Sequence, residues 1–349
     1  MKKIILAMVF SLSSVGALAN VNADNPFGLV YDNAIVANQK GKVNIHPVKY
    51  VAHGIDVVAN VYTPANFDIN KKYKAIVVAH PNGGVKEQVA GLYAQKLAEN
   101  GYVAIAFDAA FQGGSGGEPR NTDIPSSRIA DIRAAADFIQ NYKGVDPNEV
   151  ALLGICGGGG YSIAAAATDK RFKAVATIAM FNSGRVRRNG YLDNQVDKIQ
   201  ERLADASKAQ QEYVLTGKVA YFPAPDPNMP NSEIDKITTD LYREGMYYYL
   251  KDYSHPNSTF AYTKASLIEL MNFDSEDHAN LINQPLLMIT GSKADSKYLT
   301  DAVFEKAIGT NNKEKFVVDG ATHISLYYKE PYVKQVLTKL LDFYNNNLK

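Results

Sequence analysis

The stretch Glu149-Val150-Ala151-Leu152-Leu153-Gly154-Ile155-Cys156-Gly157-Gly158-Gly159-Gly160-Tyr161 decides how this chain is read. An apolar run enters a turn too tight for most side chains and leaves it as a helix of small residues. Cys156, the one cysteine of the chain, stands at the bend, with Gly154 and Gly158 two residues to either side. That is the spacing of a nucleophile elbow, G-x-Nuc-x-G. The strand doubles back over the start of the helix, so Cβ atoms at the flanking positions would collide. The central residue is held in a strained conformation, and its side chain is pushed out at the carboxyl end of the sheet. A helix N-terminus behind the thiol offers free N–H groups and partial positive charge, and both favour a thiolate.

Blander readings of the same residues fit less well. A lone cysteine beside a strand is often a small buried hydrophobe. A dinucleotide loop would need glycine where Cys156 stands, and the next strand, near Ala176 to Met180, closes without a carboxylate. A P-loop fails for want of a Gly-Lys-Ser/Thr ending.

Outward from the elbow, strand and helix alternate. Upstream, Tyr73 to His80 and Val103 to Asp108 are continuous apolar runs, as expected of strands covered on both faces. Helical patterns follow them, through Leu97 and from Ser126 to Tyr142, the latter with Ile129, Ile132, Ala136 and Ile139 near one face. Before them, Asn44 to His53 and Val57 to Tyr62 read as an antiparallel edge, with His46 and His53 as surface or packing residues. Downstream, the elbow helix runs from Tyr161 to Ala167 and a strand from Phe172 to Met180. The rhythm is that of a mostly parallel sheet with right-handed crossovers. It breaks after Phe181. Residues 182–283 hold two long amphipathic patterns, Asn194 to Thr216 and Glu233 to Lys251, separated by Pro223, Pro225, Pro227 and Pro230. The segment is too long for a connection and reads as a helical cap or insertion. Its tyrosines suit a pocket roof or a subunit contact, so a homodimer is one expectation, although core packing explains any single one. The sheet resumes at Pro285 to Gly291 and Glu314 to Val318, and a helix from Pro331 to Asn345 closes the chain.

Composition bounds the function. Of 349 residues 46% are hydrophobic and 21% charged, as in a folded globule. Lys2 and Lys3, the apolar Ile4 to Val15 and the small-x-small site Ala17-Leu18-Ala19 form a leader over residues 1–19, cleaved before Asn20. Its removal leaves 35 basic against 36 acidic residues, a balance with no electrostatic reason for nucleic acid or an anionic membrane as partner. The apolar run is too short for an anchor. The expectation is therefore a periplasmic or secreted protein with no stable membrane insertion. One cysteine allows no internal disulfide, even where the compartment permits it.

Two further groups fall where chemistry would need them. Asp295 follows one late strand and His323 follows the next, and the carboxyl ends of such strands share a crevice with Cys156. A histidine takes the thiol proton and later returns it to a leaving group; a carboxylate fixes the imidazole tautomer and steadies its charged form. No metal or cofactor is needed. His278 with Asp274, Glu276 and Asp277 is a weak zinc candidate, better read as a solvated acidic turn, and His255 beside Pro256 reads as a loop residue.

The order nucleophile, acid, histidine resembles the α/β-hydrolase superfamily, and a Gly-x-Cys-x-Gly-Gly elbow is similar to its dienelactone hydrolase branch. The stretches His80-Pro81-Asn82-Gly83-Gly84-Val85-Lys86-Glu87-Gln88, Gly114-Ser115-Gly116-Gly117-Glu118-Pro119-Arg120 and Asp319-Gly320-Ala321-Thr322-His323 look closer still to bacterial YcjY-like hydrolases. The resemblance covers about residues 45–180 and 284–347. It implies an α/β-hydrolase fold, with a core over 20–181 and 284–349 and a cap over 182–283. It also implies Cys156 as nucleophile, Asp295 as acid and His323 as base, with an oxyanion hole from the Gly157 N–H and one from Asn82 or Gly83. The expected substrate is a small carboxylic ester or thioester. Peptidase, amidase or acyl-transfer chemistry on the same triad, and an exported binding protein that keeps only the fold, are the rivals. The hundred extra residues and the leader depart from the compact dienelactone hydrolases, so the cyclic-lactone substrate is not carried over.

Overall fold

A computed structural model describes residues 24–349; the expected leader lies outside them. Eight strands form one sheet in the order β1-β2-β4-β3-β5-β6-β9-β10. They are β1 (Asn44–Ala52), β2 (Ile55–Thr63), β3 (Tyr73–Ala79), β4 (Val103–Phe107), β5 (Val145–Ile155), β6 (Phe172–Ile178), β9 (Leu286–Gly291) and β10 (Lys313–Val318). β1 and β2 pair antiparallel, β2 meets β4 antiparallel, and the other pairings are parallel. The chain is an α/β-hydrolase fold.

Residue type accounts for the placement. β4 and β9 are buried along their whole length, as continuous Val, Ile, Leu and Ala runs require in a doubly covered sheet. β1 and β10 are the edges. They mix half-buried with exposed positions and carry charged residues such as Lys49, Lys313 and Lys315, which discourage edge pairing. Helices α1 (Val89–Glu99) and α11 (Glu330–Asn347) pack together, as do α2 (Pro125–Gln140) and α3 (Gly157–Thr168). From β4 the chain crosses back over β3 to β5. The sheet order therefore reverses beside β5, and a crevice opens at the strands' carboxyl ends.

Residues 182–283 add no strand to this sheet. They form α4 (Ser183–Asn189), α5 (Ile199–Thr216), α6 (Asn231–Ile234), α7 (Asp240–Tyr247), α8 (Ser266–Leu270) and a two-residue ribbon, β7 (Tyr221–Phe222) with β8 (Tyr262–Thr263). The helix expected over Glu233 to Lys251 is interrupted at residues 235–239 and ends in a wide π turn at Tyr248–Asp252. A small second core of Ala206, Leu267, Leu270 and Met271 joins α5 to α8. Hydrogen bonds tie this segment to loops at the carboxyl ends of strands. Ser258 Oγ donates to the Gly83 carbonyl (2.7 Å), the Leu241 N–H to Asp295 Oδ2 (3.0 Å) and Thr322 Oγ1 to Glu244 Oε2 (2.5 Å). α9 (Lys297–Lys306) and α10 (Ser325–Tyr328) complete the fold. Among the described residues no helix is long and apolar enough to cross a membrane.

The turn at 274–278 corrects one expectation. Two of its acids are ion-paired, Asp274 with Arg188 (2.6 Å) and Glu276 with Arg185 (2.8 Å) and Lys306 (2.7 Å), while Asp277 and His278 are exposed as expected. His255, expected in a loop, is buried there and accepts the Asn257 N–H through Nδ1 (3.2 Å).

Candidate active site

Cys156 ends the β5 run and caps α3 at φ 53°, ψ −122°. A non-glycine residue at that φ is held only where its surroundings over-determine it. Here its N–H donates to the Ile178 carbonyl (3.0 Å), and its own carbonyl accepts from the Gly159 and Phe181 N–H groups (2.9 Å each). A Cβ at Gly154 would lie 2.5 Å from Ser162 Oγ and 2.6 Å from the Gly158 carbonyl; one at Gly157 would strike the Asn82 side chain. Glycine is a poor helix former, yet α3 starts at Gly157, earlier than the pattern from Tyr161 suggests. Close packing against β5 and the loop after β3 explains the run.

That loop brings Asn82 to the sulfur. Asn82 Nδ2 donates to Ser183 Oγ (2.7 Å), while His80 anchors the loop base, its Nδ1 donating to the Pro81 carbonyl (2.7 Å) and its Nε2 accepting the Ala109 N–H (3.1 Å). Farther along, Asp108 accepts the Lys86 N–H (2.7 Å), the Lys86 ammonium (2.9 Å) and the Gly114 N–H (2.8 Å). Burial works against the charged form of Asp108, but Lys86 prevails and holds the carboxyl below its ordinary value. Glu87, on the same ammonium, is pushed up to about 7 by burial and by the Asp108 charge.

The N–H groups of Gly157 and Asn82 and the Tyr327 hydroxyl face the partly buried Cys156 sulfur, each able to donate to its charged form. Burial raises the thiol above its ordinary value, and these donors, with the Arg128 guanidinium beyond them, only partly offset that. The resting residue is a thiol. Gly83 stands apart from this group, at φ +70° beneath Thr259 and Phe260.

The histidine side differs from the expected triad geometry. His323 is 1% exposed, and burial lowers its imidazole to about 3, so the resting ring is neutral. Its Nδ1 meets Ser296 Oγ at 2.6 Å and its Nε2 meets the Tyr327 hydroxyl at 3.0 Å. Asp295 accepts the Leu241 N–H through Oδ2. Its Oδ1 is buried without a hydrogen-bond partner, and the Tyr191 hydroxyl, also without one, faces the carboxylate. Asp295 thus stands beside the residue that holds the ring, but Ser296 takes the ring nitrogen and Asp295 turns to Leu241 and Tyr191. Ser296 and Tyr327 escape sequence reasoning: a serine beside an acid looks like turn chemistry, and a tyrosine in a Tyr-Tyr pair looks like core. The available signal was the i, i+4 spacing of Tyr327 from His323 across a helical turn.

Tyrosines close the site. Tyr248, Tyr249 and Tyr253 are buried, Tyr248 packs edge-on against Tyr327 (5.4 Å) and tilted against Tyr253 (5.0 Å). A cavity of about 30 Å³, lined by Asn82, Gly83, Asp123, Arg187, Phe260 and Tyr262 among others, lies beside the Asn82 loop. A roomier groove of about 650 Å³, with Tyr50, Phe67 and Phe138 on its walls, lies at the β1 edge and is lined by none of Asn82, Cys156, Asp295 and His323. Among the described residues no cluster of His, Cys, Asp and Glu suits a metal ion.

Residues 57–281 match the model of the dienelactone hydrolase family. The chain is 36% identical over 297 residues to YcjY of Escherichia coli strain K12, covering 84% of this chain and 95% of that protein. It is 35% identical over 281 residues to PA2218 of Pseudomonas aeruginosa, covering 79% and 73%. The crystal structure of PA2218 superposes with a TM-score of 0.80 over 88% of this chain and 95% of that one, at 31% identity. Over 130 residues the chain is 32% identical to thiohydrolase aneE of Aspergillus aculeatus, covering 37% and 41%.

Proposed function

The chain belongs to the dienelactone hydrolase family and is a hydrolase of the α/β-hydrolase class; from that premise we propose that it cleaves carboxylic esters or thioesters through an acyl-enzyme on Cys156. The observation that carries this reading is the thiol on a positive-φ elbow with the Gly157 and Asn82 N–H groups both facing it. Deprotonated Cys156 attacks the substrate carbonyl, and the two N–H groups take the charge that develops on oxygen. His323, holding the thiol proton, gives it to the departing alcohol or thiol as the carbonyl–heteroatom bond breaks. Water then enters, His323 removes its proton, the carbon–sulfur bond breaks, and the acid leaves.

Asp295 is the carboxylate assigned to the imidazolium. Its Oδ1 faces the Tyr191 hydroxyl, and the assignment rests on its place beside Ser296, which holds the ring. Ser296 fixes the tautomer while the ring is neutral. The name of thiohydrolase aneE supports the thioester arm. Amides rank behind, because thiolate leaves a tetrahedral intermediate more readily than an amine does. Export follows from the leader, and mature protein from the native host begins at Asn20; retained Met1 in the soluble fraction contradicts export.

The test is turnover of a short p-nitrophenyl ester together with labelling by iodoacetamide. The expected result is chromogenic turnover that disappears as Cys156 is alkylated, with labelling dependent on His323. No turnover and only slow, His323-independent labelling would instead favour a binding protein.

A further inference from the structure

Tyr327 occupies the place where a direct thiol–imidazole contact is expected. Its hydroxyl meets His323 Nε2 at 3.0 Å and also reaches the Cys156 sulfur. It has little room to leave. The side chain is 1% exposed and packs against Tyr248 and His323, while the adjacent Leu326 carbonyl accepts the Tyr93 hydroxyl at 2.6 Å. Tyr249, whose buried hydroxyl approaches Tyr327, also feels the sulfur, but it does not bond to the imidazole.

We propose that Tyr327 is a catalytic residue that carries the proton between Cys156 and His323. This rests on the reading of Cys156 as nucleophile. A phenol has one hydrogen to donate and lone pairs to accept, so it can bridge both protonation states of the pair. At rest the thiol donates to the phenol oxygen, the phenol donates to Nε2, and Nδ1–H donates to Ser296 Oγ. In the transfer the S–H bond breaks as a new phenol O–H bond forms, and the original phenol O–H breaks as Nε2–H forms. The products are a thiolate, a neutral tyrosine and an imidazolium. Tyr327 then donates to the thiolate and accepts from Nε2–H. No co-reactant is needed, and the return path delivers the proton from His323 towards the sulfur and the leaving group beside it.

The acylation burst of a p-nitrophenyl ester tests this. Tyr327→Phe lowers the acylation rate constant by roughly 100-fold and leaves initial ester binding unchanged. In mixtures of light and heavy water the unaltered protein gives acylation rates that bow below a straight line, because two protons move. Tyr327→Phe gives a line, a change that loss of packing alone would not produce. Acylation unchanged or faster in Tyr327→Phe overturns the relay and leaves the phenol a spacer. A straight line for the unaltered protein overturns it too, and that measurement stands if the variant does not fold. The relay fails alone if Cys156 becomes acylated while Tyr327→Phe acylates normally; the underlying reading fails if Cys156→Ala still shows the burst.

Discussion

Cys156 and His323 stand to either side of one phenol, yet the chain holds them by different means. Around Cys156 the grip is backbone: a positive φ, carbonyl and N–H bonds to Ile178, Gly159 and Phe181, and glycines at which a Cβ would strike neighbouring atoms. Around His323 the grip is side chain: Ser296 on one nitrogen, Tyr327 on the other, and Asp295 turned towards Leu241 and Tyr191. Backbone geometry admits few residue types, so it leaves a short motif. Side-chain partners exchange by rotation, and a sequence names the candidates without choosing among them.

The comparison can be broken from either side. The largest effect is at the sulfur. Cys156→Ala lowers ester kcat/KM by about 10⁴-fold or more in steady-state assays, and retention of most activity would move the nucleophile elsewhere. Next comes the choice between the two candidate partners of the ring. Asp295→Asn lowers kcat/KM by roughly 100-fold and Ser296→Ala by only about tenfold; the reverse order assigns the carboxylate's role to Ser296. Gly154→Ala sharpens the backbone side. The added methyl overpacks the elbow and lowers unfolding free energy by about 1–3 kcal/mol in denaturant titrations, whereas an unchanged midpoint would mean that the elbow yields.

The smallest effect concerns His323 and pH. Its folded value lies near 3 because of burial, below the ordinary value of 6.5. The stability it contributes is therefore complete above about pH 6.5 and is lost as pH falls towards 3, because the unfolded chain takes up a proton that the folded chain refuses. Between pH 6 and 5 the unaltered protein loses roughly 1.2 kcal/mol more than His323→Gln. Equal losses would place the ring in contact with water or a charge.

Much of the fold is legible for the same reason as the elbow. The apolar runs Tyr73 to Ala79, Val103 to Phe107 and Leu286 to Gly291 can hardly be satisfied outside a doubly covered sheet, and they are strands in it. Residues 182–283 are harder. The β-branched Ile237, Thr238 and Thr239 interrupt a pattern that reads as one helix, and the Tyr221–Phe222 ribbon is stabilised by a partner forty residues away. Tyr248 and Tyr249 look alike in sequence to any surface tyrosine, and only the packing around Tyr327 gives them their place. At the site, Cys156, Asn82 and Gly157 come together from backbone alone. Asp295 stands beside Ser296, but Ser296 and Tyr327 themselves stand at the two ring nitrogens of His323.

Acyl-enzyme trapping tests the central claim most directly. The protein is mixed with a short p-nitrophenyl ester, quenched in acid within the burst, digested and analysed by mass spectrometry. The account predicts one acyl group, on the peptide that contains Cys156, and none in Cys156→Ala. An acyl group on any other residue, or steady turnover with Cys156 free throughout, would contradict it.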